Sequence, residues 1–429
     1  MAITIQQQPA TVVSIPGFNE LVYVVSSTNT GQTNFQYVCD IYLNDDTGAL
    51  TFAGQTYLRI KTPIDPVYSS GVFQVGREIE NYLTYDIGDD SYGFQKCPKS
   101  IVQVVCKFGE EYGVSSAITA YSDLATSNTA YAINASLDQI EALDYNSNSY
   151  TIGTTTPSLS TKLALTNRPS SGVVRSGENA WLSWHIKDTD NKSAHNAVIQ
   201  TWKPNGILQQ SYYITNEIKD VAVSVGRRVQ RFPAGLKNLT LIPSSGILSG
   251  QTAVVVDATN VSRYEIYTVN ESSGRTSASN WYKVSDECTD HTVYRLHFLN
   301  KLGGFDSFSF IRAHVRSTEI KREKFKRNMI TRIGGGRYGY NKKDLSDVQY
   351  YTTQKDTIKV TSDWISEDDS AWLEELIASP VVFHDDPTHG LLAITIKETN
   401  YVRKQWRTDG LVNLELSFEY SNTKYRQRL

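Results

Sequence analysis

The chain has 429 residues, and its 42 Lys and Arg stand against 45 Asp and Glu for a formal net charge of −3. That balance excludes a uniformly basic nucleic-acid coat and a strongly acidic tail protein, and at roughly 150 residues per domain the length allows about two to four domains. Twenty-six Tyr, 14 Phe and 7 Trp against only 2 Met favour twisted, half-buried sheet surfaces and interfaces over packed helical bundles.

The N-terminus, MAITIQQQPATVV, has neither the basic region nor the continuous apolar stretch of a secretory signal, and no later run approaches the roughly 18 apolar residues of a membrane helix. Cys39, Cys97, Cys106 and Cys288 form no CxxC pair, which argues against a disulfide scaffold or a structural zinc site. The expectation is a soluble protein made in a reducing compartment, without cofactor, metal or membrane insertion.

Along the chain, apolar residues alternate with polar ones in short runs that end in Gly, Asn, Asp, Ser or Pro, the period of strands with one wet face. Such runs are Leu21–Val25, Phe35–Tyr42, Thr56–Lys61, Ile101–Phe108, Ala180–Ile186, Ala197–Trp202, Thr252–Val256 and Tyr264–Val269. Two segments read as helix. GVFQVGREIENYLTYD brings Phe73, Ile79 and Leu83 together at helical spacing, for about two turns. In SDWISEDDSAWLEELIASP, Ser366 and Asp369 have capping-box spacing, Trp372, Leu373, Leu376 and Ile377 form an apolar stripe, and Pro380 follows the end. A helix this short needs a sheet to pack on. The run Leu411–Phe418 is too apolar for a wet edge strand and predicts a covered one.

Polar, turn-rich stretches at Tyr145–Lys162 and Asn270–Asn280 punctuate the chain. The resulting expectation is mainly β: β-sandwich-like modules over residues 1–150 and 160–270, then a small C-terminal α+β module over 281–429.

Charge is unevenly placed. His314–Lys343 carries ten Lys and Arg against two Glu, a formal +8. It reads as a basic arm, either a solvated hairpin or loop or a surface facing nucleic acid or an acidic partner subunit. Its candidate electrostatic contacts are Lys321, Arg322, Lys324, Lys326, Arg327, Arg332 and Arg337. Gly334–Gly336 make the backbone permissive there, without the spacing of a phosphate loop.

Catalytic motifs are missing: no HExxH, GxSxG or kinase signature set occurs. HDDPTH gathers His384, Asp385, Asp386 and His389, but it reads as a turn between two strands, and a metal there needs a further ligand. Asp86, Asp89 and Asp90 lack the pattern of a calcium loop. The sequence is therefore not read as an enzyme.

Three stretches carry a resemblance: TYLRIKTPIDPVYSSGVFQVGREIENYLTYD, YRLHFLNKLGGFDSFSF, and KVTSDWISEDDSAWLEELIASPVVF with LLAITIKETNYVRKQWRTDGLVNLELSFEYSNTKYRQR. They are similar to structural tail and tail-hub proteins of tailed bacteriophages infecting Bacteroidetes, including crAss-like phages, and span about a quarter of the chain. The resemblance implies a homo-oligomeric, ring-forming virion component made in the host cytoplasm. Its implied neighbours are other tail or portal-proximal proteins, with DNA proximity through the basic arm. A receptor- or glycan-binding tail or baseplate module is the alternative. For the ring, the candidate interface aromatics are Trp364, Trp372, Phe383, Trp406 and Tyr420, with core packing the first reading for Trp372 because it lies on the helix stripe.

Overall fold

The computed structural model describes all residues except 1–2, 10–11, 17–20, 45–56, 88–92, 115–116, 120–124, 154–161, 170, 187–193, 217, 219–227, 241–255, 286–289, 329, 341, 344, 399–410, 423 and 426–429. The described chain is mainly β, with several antiparallel and mixed sheets. It divides into two compact units: Met1–Asp286 with Leu299–Ser307, and Glu287–Phe298 with Phe308–Leu429.

The first unit holds two sandwich-like modules. In one, a three-stranded sheet (Ile3–Gln7, Val22–Ser27, Ser70–Gln74) shares a core with a seven-stranded sheet. The long strands of that larger sheet are Gln36–Asn44 and Ile101–Val114. Tyr23, Val25 and Phe73 from the small sheet meet Tyr37, Cys39, Ile41, Cys106 and Phe108 from the large one. The sheets come close at Gly71, where a Cβ would stand 2.6 Å from the Tyr37 ring. The Tyr37 hydroxyl accepts from Ser27 N (3.1 Å) and donates to the Ser69 carbonyl (2.7 Å), so the ring's polar end is satisfied as its body is buried.

In the other module, a four-stranded sheet containing Trp181–Ile186 and Val229–Pro233 faces a five-stranded sheet containing Asn196–Trp202, Arg263–Val269 and Asn280–Val284. Trp184, Phe232, Tyr264 and Tyr282 fill the space between them, the two tyrosines stacked with centroids 5.1 Å apart. A smaller cluster of Cys97, Ile133, Leu165, Val229 and Leu302 completes the unit. Leu302 belongs to the segment Leu299–Ser307, which Asn300 Nδ2 ties down by donating to the Leu165 carbonyl (2.9 Å) and Asp306 Oδ2 (3.1 Å).

The second unit is built on an eight-stranded sheet, with two two-stranded sheets besides it. Its order is Phe305–Phe310, Tyr294–Leu299, Val382–Asp386, Gly390–Ile396, Glu415–Tyr420, Asp347–Thr361, Val315–Lys326, with Lys424–Tyr425 also beside Asp347–Thr361. Two short helices, Glu367–Trp372 and Glu374–Ala378, cover it. Trp372, Leu373 and Leu376 lie in a core with Phe298, Ile358, Val360, Leu416 and Phe418, so the apolar stripe packs on the sheet as its spacing predicts. Ser366 caps the first helix, its Oγ accepting from Asp369 N (3.1 Å) and donating to Asp369 Oδ2 (2.7 Å). Thus only half of the capping box forms.

Two expectations are corrected. Phe73 lies in the strand Ser70–Gln74, paired with Tyr23, and the expected two-turn helix is reduced to Gly76–Ile79 and a 3-10 turn at Glu80–Tyr82. Phe73, Ile79 and Leu83 are all buried in one core all the same, so their clustering is real and its helical explanation is wrong. The run Leu411–Phe418 is two strands: Leu411–Val412 pairs Ile365–Ser366, and Glu415–Tyr420 sits inside the large sheet. Leu414 makes the break, its N–H and carbonyl bonding Ser362 Oγ and Ser362 N, each at 2.8 Å. The expected strand at Thr252–Val256 falls largely outside the described residues.

His185 offers a test of the first unit. Burial, with the Arg228 charge added, pushes its imidazole down to about 3, from the roughly 6.5 of a free histidine. The unfolded chain therefore binds a proton between these limits that the folded chain refuses, and stability declines as pH falls from 6.5 towards 3, by up to about 1.4 kcal/mol per pH unit. Melting His185→Gln beside the wild type from pH 7 to pH 4 is expected to show a shallower decline for the variant.

Candidate interface on the C-terminal unit

The basic segment forms a hairpin. Val315–Lys326 runs antiparallel to Asp347–Thr361 from Val315↔Lys359 to Lys326↔Asp347, with a bulge that leaves Tyr350 unmatched between Glu323↔Tyr351 and Lys324↔Gln349. The 12-residue first strand is exposed throughout and reaches about 40 Å at the usual strand rise. It is the edge strand of its sheet. Glu415–Tyr420 supports the return strand only along Thr357–Thr361, and Lys424–Tyr425 only at Thr353 and Gln354. Beyond these, among the described residues, the arm is two-stranded, a state with marginal stability of its own. A smaller hairpin, Ile330–Arg332 with Tyr338–Tyr340, forms its tip. Gly334, Gly335 and Gly336 turn that tip with φ of +93°, +61° and +76°, values that cost a side-chain-bearing residue strain and glycine little.

A buried carboxylate holds the root. Asp356 lies on the return strand with its side chain 2% exposed, and it accepts from Arg316 Nη2 (2.6 Å), Thr318 Oγ1 (2.8 Å) and Gln354 Nε2 (3.2 Å). Two of these donors come from the edge strand, so one acid clamps both strands. The Asp356 hydrogen bond raises the Arg316 guanidinium further above its usual range. Beside the clamp is an aromatic cluster. The Tyr294 ring lies 5.1 Å from both His314 and His384, and Tyr420 Oη lies 3.1 Å from His384 Nδ1. Burial lowers the His384 pKa against the opposing pull of Asp386 and Asp385.

Towards the tip, the arm combines charge with exposed apolar surface. Lys321, Arg322, Lys324, Lys326, Arg327, Arg332 and Arg337 are all exposed. Lys321 approaches Glu319 (3.7 Å), whereas Arg322, Lys324 and Lys326 have no acidic partner among the described residues. Phe325 is 47% exposed and packs on Tyr350 with centroids 6.0 Å apart, while Tyr350 Oη donates to Glu323 Oε2 (2.6 Å). Tyr338 and Tyr340 are 72% and 73% exposed, and Ile320, Ile330 and Ile333 are exposed as well.

The expected interface aromatics fall in different places. Trp364 is 64% exposed, whereas Trp372 is buried between Phe298 (5.6 Å) and Phe308 (6.3 Å), in line with its stripe position. Phe383 is half-buried in Val382–Asp386, Tyr420 is half-buried in the root cluster, and Trp406 lies outside the described residues. HDDPTH is a hairpin turn, in which Asp386 Oδ1 accepts from Thr388 N and His389 N, both at 2.9 Å. Asp86 is a structural acceptor for Lys99 N (2.8 Å) and Ser100 N (3.1 Å), while Asp89 and Asp90 are outside the described residues. Among the described residues, no group of three or more His, Cys, Asp or Glu is arranged to hold a metal, and no helix is long and apolar enough to cross a membrane. Sequence reasoning missed the Asp356 clamp and the apolar surface of the arm. Its signal was present in Ile320 and Phe325 within EIKREKFKR and in the RYGY tip.

No protein-family model matches the chain, and no curated protein matches it. Among solved structures, a chain from the tail of an empty gene transfer agent particle, refined helically with sixfold cyclic symmetry, is 12% identical. That match covers 31% of this chain and 96% of that one, with a TM-score of 0.19. A chain from the virion of the native gene transfer agent particle is also 12% identical, over 31% of this chain and 95% of that one, with a TM-score of 0.18. A mutant of Salmonella alpha-2-macroglobulin is 8% identical over 99% of this chain and 34% of that one, with a TM-score of 0.15. Scores this low carry no functional argument.

Removing the clamp tests the root. Asp356→Ala is expected to cost about 1–3 kcal/mol, since hydrogen bonds are lost while the half-exposed Arg316 can turn to water. Amide exchange should accelerate over Val315–Ile320 and stay slow in Val382–Asp386.

Proposed function

We propose that this chain is a structural virion protein that assembles as a ring-forming component of a bacteriophage tail or tail hub. One observation carries the reading. The arm is a long, exposed edge strand with Phe325, Tyr338 and Tyr340 at or near its distal part, beside Arg322, Lys324 and Lys326, which have no acidic partner among the described residues. A protein working alone blunts such an edge by shortening or covering it. An assembling protein leaves it open for a neighbour to complete, and apolar and aromatic groups ringed by charge are the usual make-up of such a contact. The resemblance of three sequence stretches to phage tail proteins supports the placement in a tail. On this reading the partners are further copies of the chain and adjoining tail or portal-proximal proteins, and the chain is structural and not an enzyme.

A glycan- or receptor-binding role draws on a different observation. Trp202 and Trp281 lie side by side on the five-stranded sheet, centroids 5.0 Å apart. Arg263 lies over both rings, at 5.7 and 5.4 Å, and takes up the surface on which a sugar would stack. The assembly reading therefore stands first.

Mass spectrometry of purified virions, followed by reconstruction of their tails, is the deciding experiment. The expected result is several copies of this chain around the tail axis with residues 314–361 at a subunit contact. Virions that lack the chain, or contain it with the arm fully in solvent, overturn the proposal.

A further inference from the structure

The arm's cations have a counterpart in the same unit. Residues 314–343 carry a formal +8, while residues 360–396 contain eight Asp and Glu and no Lys or Arg. Several of those acids are engaged in the fold: Asp363 pairs with Arg312, Glu375 and Asp385 are buried, and Asp386 holds its turn. What the surface presents is the helix pair, where Asp368 and Glu374 are exposed and Glu367 half-exposed, with the exposed Trp364 just before them in the chain.

We propose that the basic arm of one copy docks on the acidic helix pair of a second copy, with Lys324 and Lys326 facing Asp368 and Glu374, and Ile320, on the same strand face as the two lysines, and Trp364 supplying apolar contact. This deepens the assembly reading above and rests on it. The two surfaces differ, so the contact is heterologous: each copy offers one arm and one helix pair, and repetition closes a ring or extends a filament. Such an arrangement explains how equal and opposite charge blocks coexist in one small unit. Segregated charge favours the head-to-tail encounter and disfavours arm-to-arm and helix-to-helix ones. Simple protection of an edge requires charge but no exposed Ile320, Phe325, Tyr338 and Tyr340 beside it. Nucleic acid is the competing partner for a basic, aromatic-bearing arm, but it assigns no role to the acidic helices.

The charge asymmetry allows a mixing test on the full chain. One variant combines Lys324→Glu with Lys326→Glu, and the other combines Asp368→Lys with Glu374→Lys. All four side chains are exposed, and circular dichroism with melting checks each fold. In native mass spectrometry and sedimentation velocity, wild-type protein is expected to self-associate, more weakly as salt rises. Each variant alone should associate at least tenfold more weakly. Mixed one to one, they should associate again in strict alternation, because the unaltered arm meets the unaltered helix pair and the Glu-bearing arm meets the Lys-bearing helix pair. A monomeric wild type, a mixture that stays monomeric, or a helix variant that associates like wild type overturns the proposal. So does an arm variant that retains self-association while losing salt-sensitive binding to a DNA duplex, which assigns the arm to nucleic acid. The virion result is read separately: a chain present in tails whose variants fail to complement loses only this pairing, and complementing variants of a chain absent from virions lose only the tail role.

Discussion

The large sheets of this protein each have a face to bury, and that constraint organises what remains. In the first unit the requirement is met sheet against sheet, with Tyr23, Phe73 and Phe108 filling one core and Trp184, Phe232 and Tyr264 another. In the second unit a single large sheet is covered by two helices too short to persist alone, and Trp372, Leu373 and Leu376 supply the cover. Part of the aromatic content read from composition fills these cores, since large rings span the distance between packed sheets.

Burying faces leaves edges, and the edges separate structural parts from available ones. The sheet of the second unit ends on Val315–Lys326, a strand with no buried residue. Asp356 makes this geometry possible. Its carboxylate draws Arg316 and Thr318 to the return strand, so the root is ordered where the sheet supports it and the distal hairpin extends from a fixed base. The aromatic and histidine cluster of Tyr294, His384 and Tyr420 stiffens the same region with largely neutral groups. A protruding arm with a rigid base suits a structural contact, since little freedom remains to be lost at the root on docking.

The sequence was most legible where local chemistry decides local structure. Ser366 caps its helix, HDDPTH turns between two strands, and Gly334–Gly336 occupy the left-handed region. The capping box of Asp138 and Glu141 was equally readable and went unread, because its helix, Gln139–Asp144, is too short for a clear stripe and leaves Ile140 and Leu143 exposed. Phe73 misled for the opposite reason. It meets Ile79 and Leu83 in space through a strand and a turn, a proximity that resembles helical spacing on paper.

A mainly β chain, one capped helix and a basic segment are legible in the residues alone, because alternation, caps and charge are properties of neighbouring residues; that the helix divides into Glu367–Trp372 and Glu374–Ala378 is not. Tertiary packing settled which edge stays open, that Trp364 is left at the surface, and which acid anchors the arm. Trp364 and Trp372 are eight positions apart, yet one is exposed and the other packed against Phe298. Asp356 reaches its donors across a strand pair whose halves are separated by the whole tip of the hairpin. These outcomes depend on register and on which faces meet, and both are set by pairings between residues distant in the chain.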